Sequence, residues 1–266
     1  MFGGLHFDRS KALSMPSCLV VQHIEPEGPY AIGDALAAAG IDVVPCRTYA
    51  GEPVPGRASD FDGLVVMGGS MSAVSDVGFP TRRQEIALVA DALDVALPTL
   101  GVCLGSQLLA VAAGGRVMAG WNGLEVGWAP VRFDAAAADD PFLSTVPTEL
   151  TVLHWHGDTY ELPPGGVPLA SSASYAQQAF RVGDRAWGLQ FHVEVDQVAV
   201  DAFVDLFGDD VLAAGTTPEA IRAATPGALA GLAPYRRDML ARFAALVAAG
   251  DRTVGGGGVD QLVDRS

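Results

Sequence analysis

The sequence predicts an α/β protein with a mostly parallel central sheet, helices on both of its faces, an added antiparallel strand region and a helical C-terminal extension. Three observations carry this. Short, continuously apolar segments alternate with helical stretches from residue 17 to residue 103. A series of strand-like segments divided by turn residues follows, and from residue 196 to 250 the chain becomes rich in Ala and Leu. Strands that are apolar throughout belong to a parallel sheet covered on both faces, whose functional loops lie at the carboxyl ends of the strands.

In order, SCLVVQHI (17–24) reads as a strand, GPYAIGDALAAAG (28–40) as a helix ending at Gly40, and IDVVPCRT (41–48) as the next strand. FDGLVVMGG (61–69) makes a third strand, and the loop SMSAVSDVGFP follows it. Between Thr81 and Leu97, apolar residues at Ile86, Val89, Ala90, Leu93 and Leu97 keep the three-and-four spacing of a helix. TLGVC (99–103) is the fourth strand. RVMAGW, GLEVGWAPVRF, TVLHWHGD, VPLASSAS, QQAFRVG and RAWGLQFHV are then strand-like, with a hairpin expected at Val182 to Arg185 around Gly-Asp. Four successive glycines near the end predict a mobile tail, because ordering them costs much entropy.

Half of the 266 residues are hydrophobic, which is enough for a sizeable core, and the formal net charge is −15. An acidic chain whose only lysine is Lys11 is unsuited to nucleic acid or to an anionic membrane, since both need clustered cations. The uncharged run from Val95 to Gly115 has the length of a membrane span, but Pro98, Gly101, Gly105 and Gln107 divide it into strand, turn and helix. The first ten residues lack the features of a secretory signal, and Cys18, Cys46 and Cys103 lack the pairing of a disulfide framework or zinc site. These features predict a cytoplasmic protein without disulfides.

The segment GVCLGSQ (101–107) places Cys103 where a strand turns into a helix, between Gly101 and Gly105. This is the cysteine version of a nucleophile elbow, whose strained turn lifts the side chain above the sheet. The helix N-terminus is expected to lower the thiol pKa, and the Leu104 N–H to face a developing oxyanion. Cys18 and Cys46 read as structural core cysteines. A thiolate needs a base and an orienter, and GLQFHVEV (188–195) offers His192 and Glu194, two residues apart on one face of an extended segment. His154, His156 and Asp158 also share a strand face, but alternate positions on one strand are too spread to converge on an ion, so no metal is expected.

Together, GVCLGSQ and FHVEV (191–195) resemble the class I glutamine amidotransferases, whose elbow reads G-x-C-x-G-x-Q and whose base motif reads F-H-x-E, commonly with proline where this chain has Val193. The resemblance covers residues 17–207. It implies a flavodoxin-like fold, with Cys103 as nucleophile, His192 as base and acid, and Glu194 as its orienter. MGGSMSA (67–73) resembles the family's Gly-rich loop, with Ser70 at a position normally proline. There the resemblance implies that the Gly69 N–H is the second oxyanion donor and that Met71 lines the glutamine site. HWHGD (154–158) resembles the segment that holds the substrate's amino-acid end, so that His156, Gly157 and Asp158, with Gln107, are expected to bind it.

The expected organisation is an N-terminal segment (1–16) that is a candidate for disorder, a class I amidotransferase domain (17–207), a helical extension packed on the same domain (208–252) and a flexible Gly-rich tail (253–266). No P-loop pattern is present, so any ammonia-accepting synthetase is expected to be a separate chain. The layout resembles stand-alone relatives of the glutaminase domain of guanosine monophosphate synthetase. The expected function is hydrolysis of glutamine, without cofactor, to supply ammonia. The alternatives are a stand-alone γ-glutamyl peptide hydrolase and a non-catalytic binding protein. An esterase of the α/β-hydrolase kind is disfavoured, because Glu194 follows His192 where that fold places its acid before the histidine.

Overall fold

The computed structural model describes residues 15–250. The expected Gly-rich tail (253–266) lies outside the described residues, as does the segment 1–16 apart from its last two positions. Among the described residues the elements in chain order are β1 (Ser17–Gln22), α1 (Tyr30–Ala38), β2 (Asp42–Arg47), β3 (Gly63–Val66), α2 (Arg82–Asp94), β4 (Thr99–Val102), α3 (Leu104–Ala112), β5 (Arg116–Ala119), β6 (Glu125–Phe133), β7 (Glu149–His156), β8 (Asp158–Glu161), β9 (Val167–Ser171), β10 (Ala179–Val182), β11 (Ala186–Leu189), α4 (Gln197–Leu206), α5 (Gly208–Ala213) and α6 (Pro218–Ala249).

One nine-stranded sheet runs in the order β2-β1-β3-β4-β11-β10-β9-β6-β7. Pairing is parallel from β2 to β11 and antiparallel from β11 to β7. The antiparallel strands thus extend the parallel sheet, and only β5 and β8 form a separate ladder. The hairpin expected at Val182 to Arg185 joins β10 to β11, with Gly183 at φ 56°.

The parallel strands are buried on both faces, as their apolar runs require. Val20, Val65, Leu100 and Leu189 pack with Ile32 and Leu36 of α1 and with Leu232, Met239, Phe243 and Val247 of α6. Leu19, Val21, Leu64 and Val66 face the other way, against Leu88 and Val89 of α2 and Leu108 and Leu109 of α3. The run from Val95 to Gly115 divides as expected into turn, β4 and α3, and no helix among the described residues is long and apolar enough to cross a membrane.

Two expected strands are shorter than their hydrophobic pattern. TVLHWHGD breaks at Gly157, where a β-carbon would stand 2.6 Å from Leu124 Cδ2, so His156 ends β7 and Asp158 begins β8 in the other sheet. RAWGLQFHV leaves β11 after Leu189, and its end crosses to β7 instead, where His192 N donates to Leu153 O at 2.8 Å.

Candidate active site

Cys103 occupies the single residue between β4 and α3, with φ 51° and ψ −106°, a conformation that L-residues rarely adopt. The turn is held from both sides. Cys103 N donates to Leu189 O at 2.7 Å, and Ser106 Oγ donates to Cys103 O at 2.7 Å. Both flanking glycines are required by space. A β-carbon on Gly101 would overlap Gly105 O, and one on Gly105 would overlap Val66 O, so α3 lies directly on the end of β3.

The thiol is buried but reaches three polar neighbours. It donates to Trp155 O at 3.5 Å and accepts from Gln190 Nε2 at 3.7 Å, and the His192 ring is near enough to lower its pKa. His192 Nδ1 donates to Glu194 Oε1 at 2.7 Å, which leaves Nε2 as the nitrogen for the thiol. Glu194 Oε2 accepts from Val193 N at 2.9 Å, and the imidazole stands edge-on to Phe203 with centroids 5.4 Å apart. The residues 190–195 are not an extended strand. His192 and Glu194 meet because the chain bends around the carboxylate.

Electrostatics at the thiol differ from the sequence expectation. Burial pushes the Cys103 pKa up, and the hydrogen bond and charge of His192 only partly offset it. For His192, burial favours the neutral ring, but the Glu194 carboxylate and the thiol outweigh it and hold its pKa well above the usual imidazole value. The ring is therefore disposed to keep a proton once it receives one from sulfur.

A cavity of about 390 Å³ opens over Cys103. Eight of the sequence-predicted residues line it: Cys103, Gly69, Leu104, Met71, Gln107, His156, Gly157 and Asp158. His192 and Glu194 stand behind the sulfur, so all ten lie in one place. The N–H groups of Gly69 and Leu104 have no acceptor among the described residues, and both residues line the cavity with Cys103. Gln107 Nε2 donates to Gln190 Oε1 at 3.2 Å, and Ser72 Oγ donates to Asp158 Oδ2 at 2.7 Å.

Sequence reasoning missed several members of the site. Glu27, in the loop after β1, lines the cavity with its Oε2 buried and unpartnered. A β-carbon on Gly68 would overlap that oxygen and lie 3.2 Å from His192 Cε1, so carboxyl and imidazole flank the same glycine. Burial, helped by the Glu194 charge and opposed by His192, raises the Glu27 pKa to about 7. Its place at the carboxyl end of a parallel strand was the available signal. Phe207 and Asp210, at the junction of α4 and α5, also line the cavity.

The histidine cluster also differs in membership. Asp158 turns its carboxylate to Ser72, and Glu125, opposite His156 on β6, joins His154 and His156 instead, with ligand atoms within 4.8 Å of one another. Glu125 accepts from His156 Nε2 at 3.0 Å, Gln178 Nε2 at 2.6 Å and Ser172 Oγ at 2.7 Å, so its carboxylate is already engaged by protein donors. His156 Nδ1 lies 3.0 Å from Asp158 O, a contact that fixes the ring at the cavity wall. His154 is a packed histidine whose pKa burial lowers to about 4.

Fold and geometry define an α/β protein with a cysteine, histidine and glutamate gathered at the carboxyl edge of a parallel sheet. The family model for glutamine amidotransferase class-I matches residues 29–203, and the chain belongs to that family. It is 33% identical over 161 residues to the glutamine amidotransferase-like protein YfeJ of Salmonella typhimurium, covering 59% of this chain and 67% of that one. It is 35% identical over 163 residues to a component of the glutamine-hydrolysing GMP synthase of Haloarcula marismortui, covering 60% and 77%. The crystal structure of a glutamine amidotransferase from Thermotoga maritima superposes with a TM-score of 0.78 at 28% identity, over 87% of this chain and 99% of that one.

Proposed function

We propose that this chain hydrolyses the side-chain amide of glutamine through a γ-glutamyl thioester on Cys103, releasing ammonia for a separate acceptor enzyme. The observation that carries the reading is the Cys103 thiol, raised on a strained elbow, within reach of an imidazole whose far nitrogen is bonded to Glu194 at 2.7 Å. His192 takes the thiol proton as sulfur bonds to the amide carbon, and Glu194 stabilises the resulting imidazolium. The negative oxygen of the tetrahedral intermediate accepts from the N–H groups of Gly69 and Leu104, and such a donor is typically worth about 3 kcal/mol. As the C–N bond breaks, His192 gives its proton to nitrogen and ammonia leaves. A water then gives a proton to His192 while its oxygen bonds to the thioester carbon, sulfur departs, and glutamate is formed.

Gln107, His156, Gly157 and Asp158 are the polar wall that would hold the α-amino and α-carboxylate groups of glutamine, with Met71 against its methylenes. Residues 17–207 form the catalytic unit in this reading, and the helices between 208 and 250 are an extension packed on it. A separate acceptor is supported by the Haloarcula relative, which is itself described as one subunit of its synthase. The free thiols of Cys18, Cys46 and Cys103 fit a cytoplasmic location.

The test is to incubate the purified chain with glutamine, alone and with cell extract, and to measure ammonia and glutamate. Cys103→Ala should abolish release while the fold survives. Turnover of γ-glutamyl peptides in preference to glutamine, by the chain alone, would move the assignment to a peptide hydrolase. No turnover of either, with or without extract, would leave a binding protein.

A further inference from the structure

A second buried histidine lies behind the Gly-rich loop, outside the Cys103, His192 and Glu194 set. His23 follows the last residue of β1, and Gly68 stands two residues past the end of the neighbouring strand β3. The His23 ring is closed off from solvent. Its Nδ1 donates to Gly68 O at 2.8 Å, and its Nε2 bonds to Glu85 Oε2 at 2.6 Å. Glu85, fully buried in the first turn of α2, accepts at Oε1 from Thr81 Oγ1 at 2.7 Å. Phe79 meets the ring edge-on at 5.6 Å. The packing is close, since a β-carbon on Gly69 would stand 2.8 Å from His23 Cβ and 2.9 Å from Leu104 Cδ2.

We propose that His23, held by Glu85, is a positioning residue that aims the Gly69 N–H at the oxygen of the reacting amide. The inference rests on the reading above, in which that N–H is an oxyanion donor. Gly68 O and Gly69 N–H belong to one planar, trans peptide, so the two bonds point in opposite directions. Anchoring the carbonyl on the side of His23 turns the N–H toward the cavity that Gly69 lines with Cys103. A glycine pair has little conformational preference of its own, so the orientation must come from outside the loop.

The bond also polarises the peptide. Burial favours the neutral His23 ring, but the hydrogen bond and charge of Glu85 and the Gly68 carbonyl outweigh it, so its pKa is raised. A protonated ring donates at both nitrogens, and a charge-assisted bond to Gly68 O draws electrons from the peptide and strengthens its N–H as a donor. The arrangement parallels the other dyad. Glu194 orients the histidine that moves the proton, and Glu85 orients the histidine that aims the peptide.

Three variants test this: His23→Leu, which removes the donor; His23→Asn, whose Nδ2 takes the place of the ring Nδ1; and Glu85→Gln, which keeps the volume and removes the charge. Three readouts are followed: kcat and KM for glutamine, the rate of Cys103 alkylation by iodoacetamide, and the amide ¹H–¹⁵N signal of Gly69. We expect kcat to fall about 10- to 100-fold in His23→Leu, less than the 10²–10³ of losing a donor outright. KM and the alkylation rate should stay within about twofold, because thiol and His192 are untouched. The Gly69 signal should shift in His23→Leu and return toward its original position in His23→Asn, with partial recovery of kcat. Glu85→Gln should fall between, and it carries the test if His23→Leu does not fold.

An unchanged kcat with an unmoved Gly69 signal would overturn the proposal, and so would an alkylation rate that falls in step with kcat. A chain without glutaminase activity whose Gly69 signal still follows His23 would refute the functional reading and leave the orientation of the peptide by His23 intact.

Discussion

At position 103, φ 51° and ψ −106° reverse a familiar order of preference. Alanine normally stabilises a chain over glycine because glycine has more freedom to lose, yet only glycine adopts this conformation without strain. Cys103→Gly should therefore be more stable than Cys103→Ala, by about 1 kcal/mol given that such strain costs on the order of 1–3 kcal/mol, measured by denaturant unfolding. Glu27 makes a second prediction. Its carboxyl holds a proton in the fold up to about pH 7, against 4.5 when unfolded, so the folded state binds more protons between those values. Its stabilising contribution is complete below about pH 4.5 and is lost as pH rises through about 7, a change of about 3 kcal/mol for 2.5 pKa units. Glu27→Gln, which cannot ionise, should flatten the stability profile across that interval.

Among the elements, α3 and α6 are constrained in different ways. Gly105 sits where any side chain meets Val66 O, so Gly105→Ala should push α3 off β3 and cost more than about 3 kcal/mol. Loss of thermal stability together with the site would show this, and an alanine variant of full stability would refute the close contact. Helix α6 carries Pro226 and Pro234 in its interior, both exposed. Each removes an N–H from the helical ladder without burying its ring. Pro234→Ala should raise stability by up to about 3 kcal/mol, the usual difference between the two residues inside a helix, as a higher melting temperature would register.

Across the whole molecule, α6 closes one face of the sheet with Leu232, Met239, Leu240, Phe243 and Val247. It also reaches the site, since Arg236 Nη1 donates to Val195 O at 2.7 Å, one residue past Glu194. Each of those apolar side chains contributes about 1.5–3 kcal/mol by its burial, comparable in sum with the net stability of a domain. A chain ending at Gly215 should lose cooperative unfolding and bind hydrophobic dyes, whereas the full chain should unfold in one transition. An independently stable truncation would show that α6 is an appendage and not part of the core.

Much of this was legible in the residues alone. The alternation of apolar strands with helices announced the parallel sheet, and two glycines around one cysteine announced the elbow, because those features follow from local sterics and short-range periodicity. The boundaries of β7 and β11 were not legible, since the pattern continues past Gly157 and Leu189 while the chain changes partner. Nor could the linear order show that Glu27 faces His192, that Glu125 takes the place expected of Asp158 beside the histidines, or that His23 and Glu85 meet behind Gly68. Nor did the motif disclose that burial raises the Cys103 pKa more than His192 lowers it. Motif and period act over a few residues and belong to the sequence. Solvent exclusion and contacts between distant strands arise only when the sheet closes, and they decide which buried acids and histidines meet.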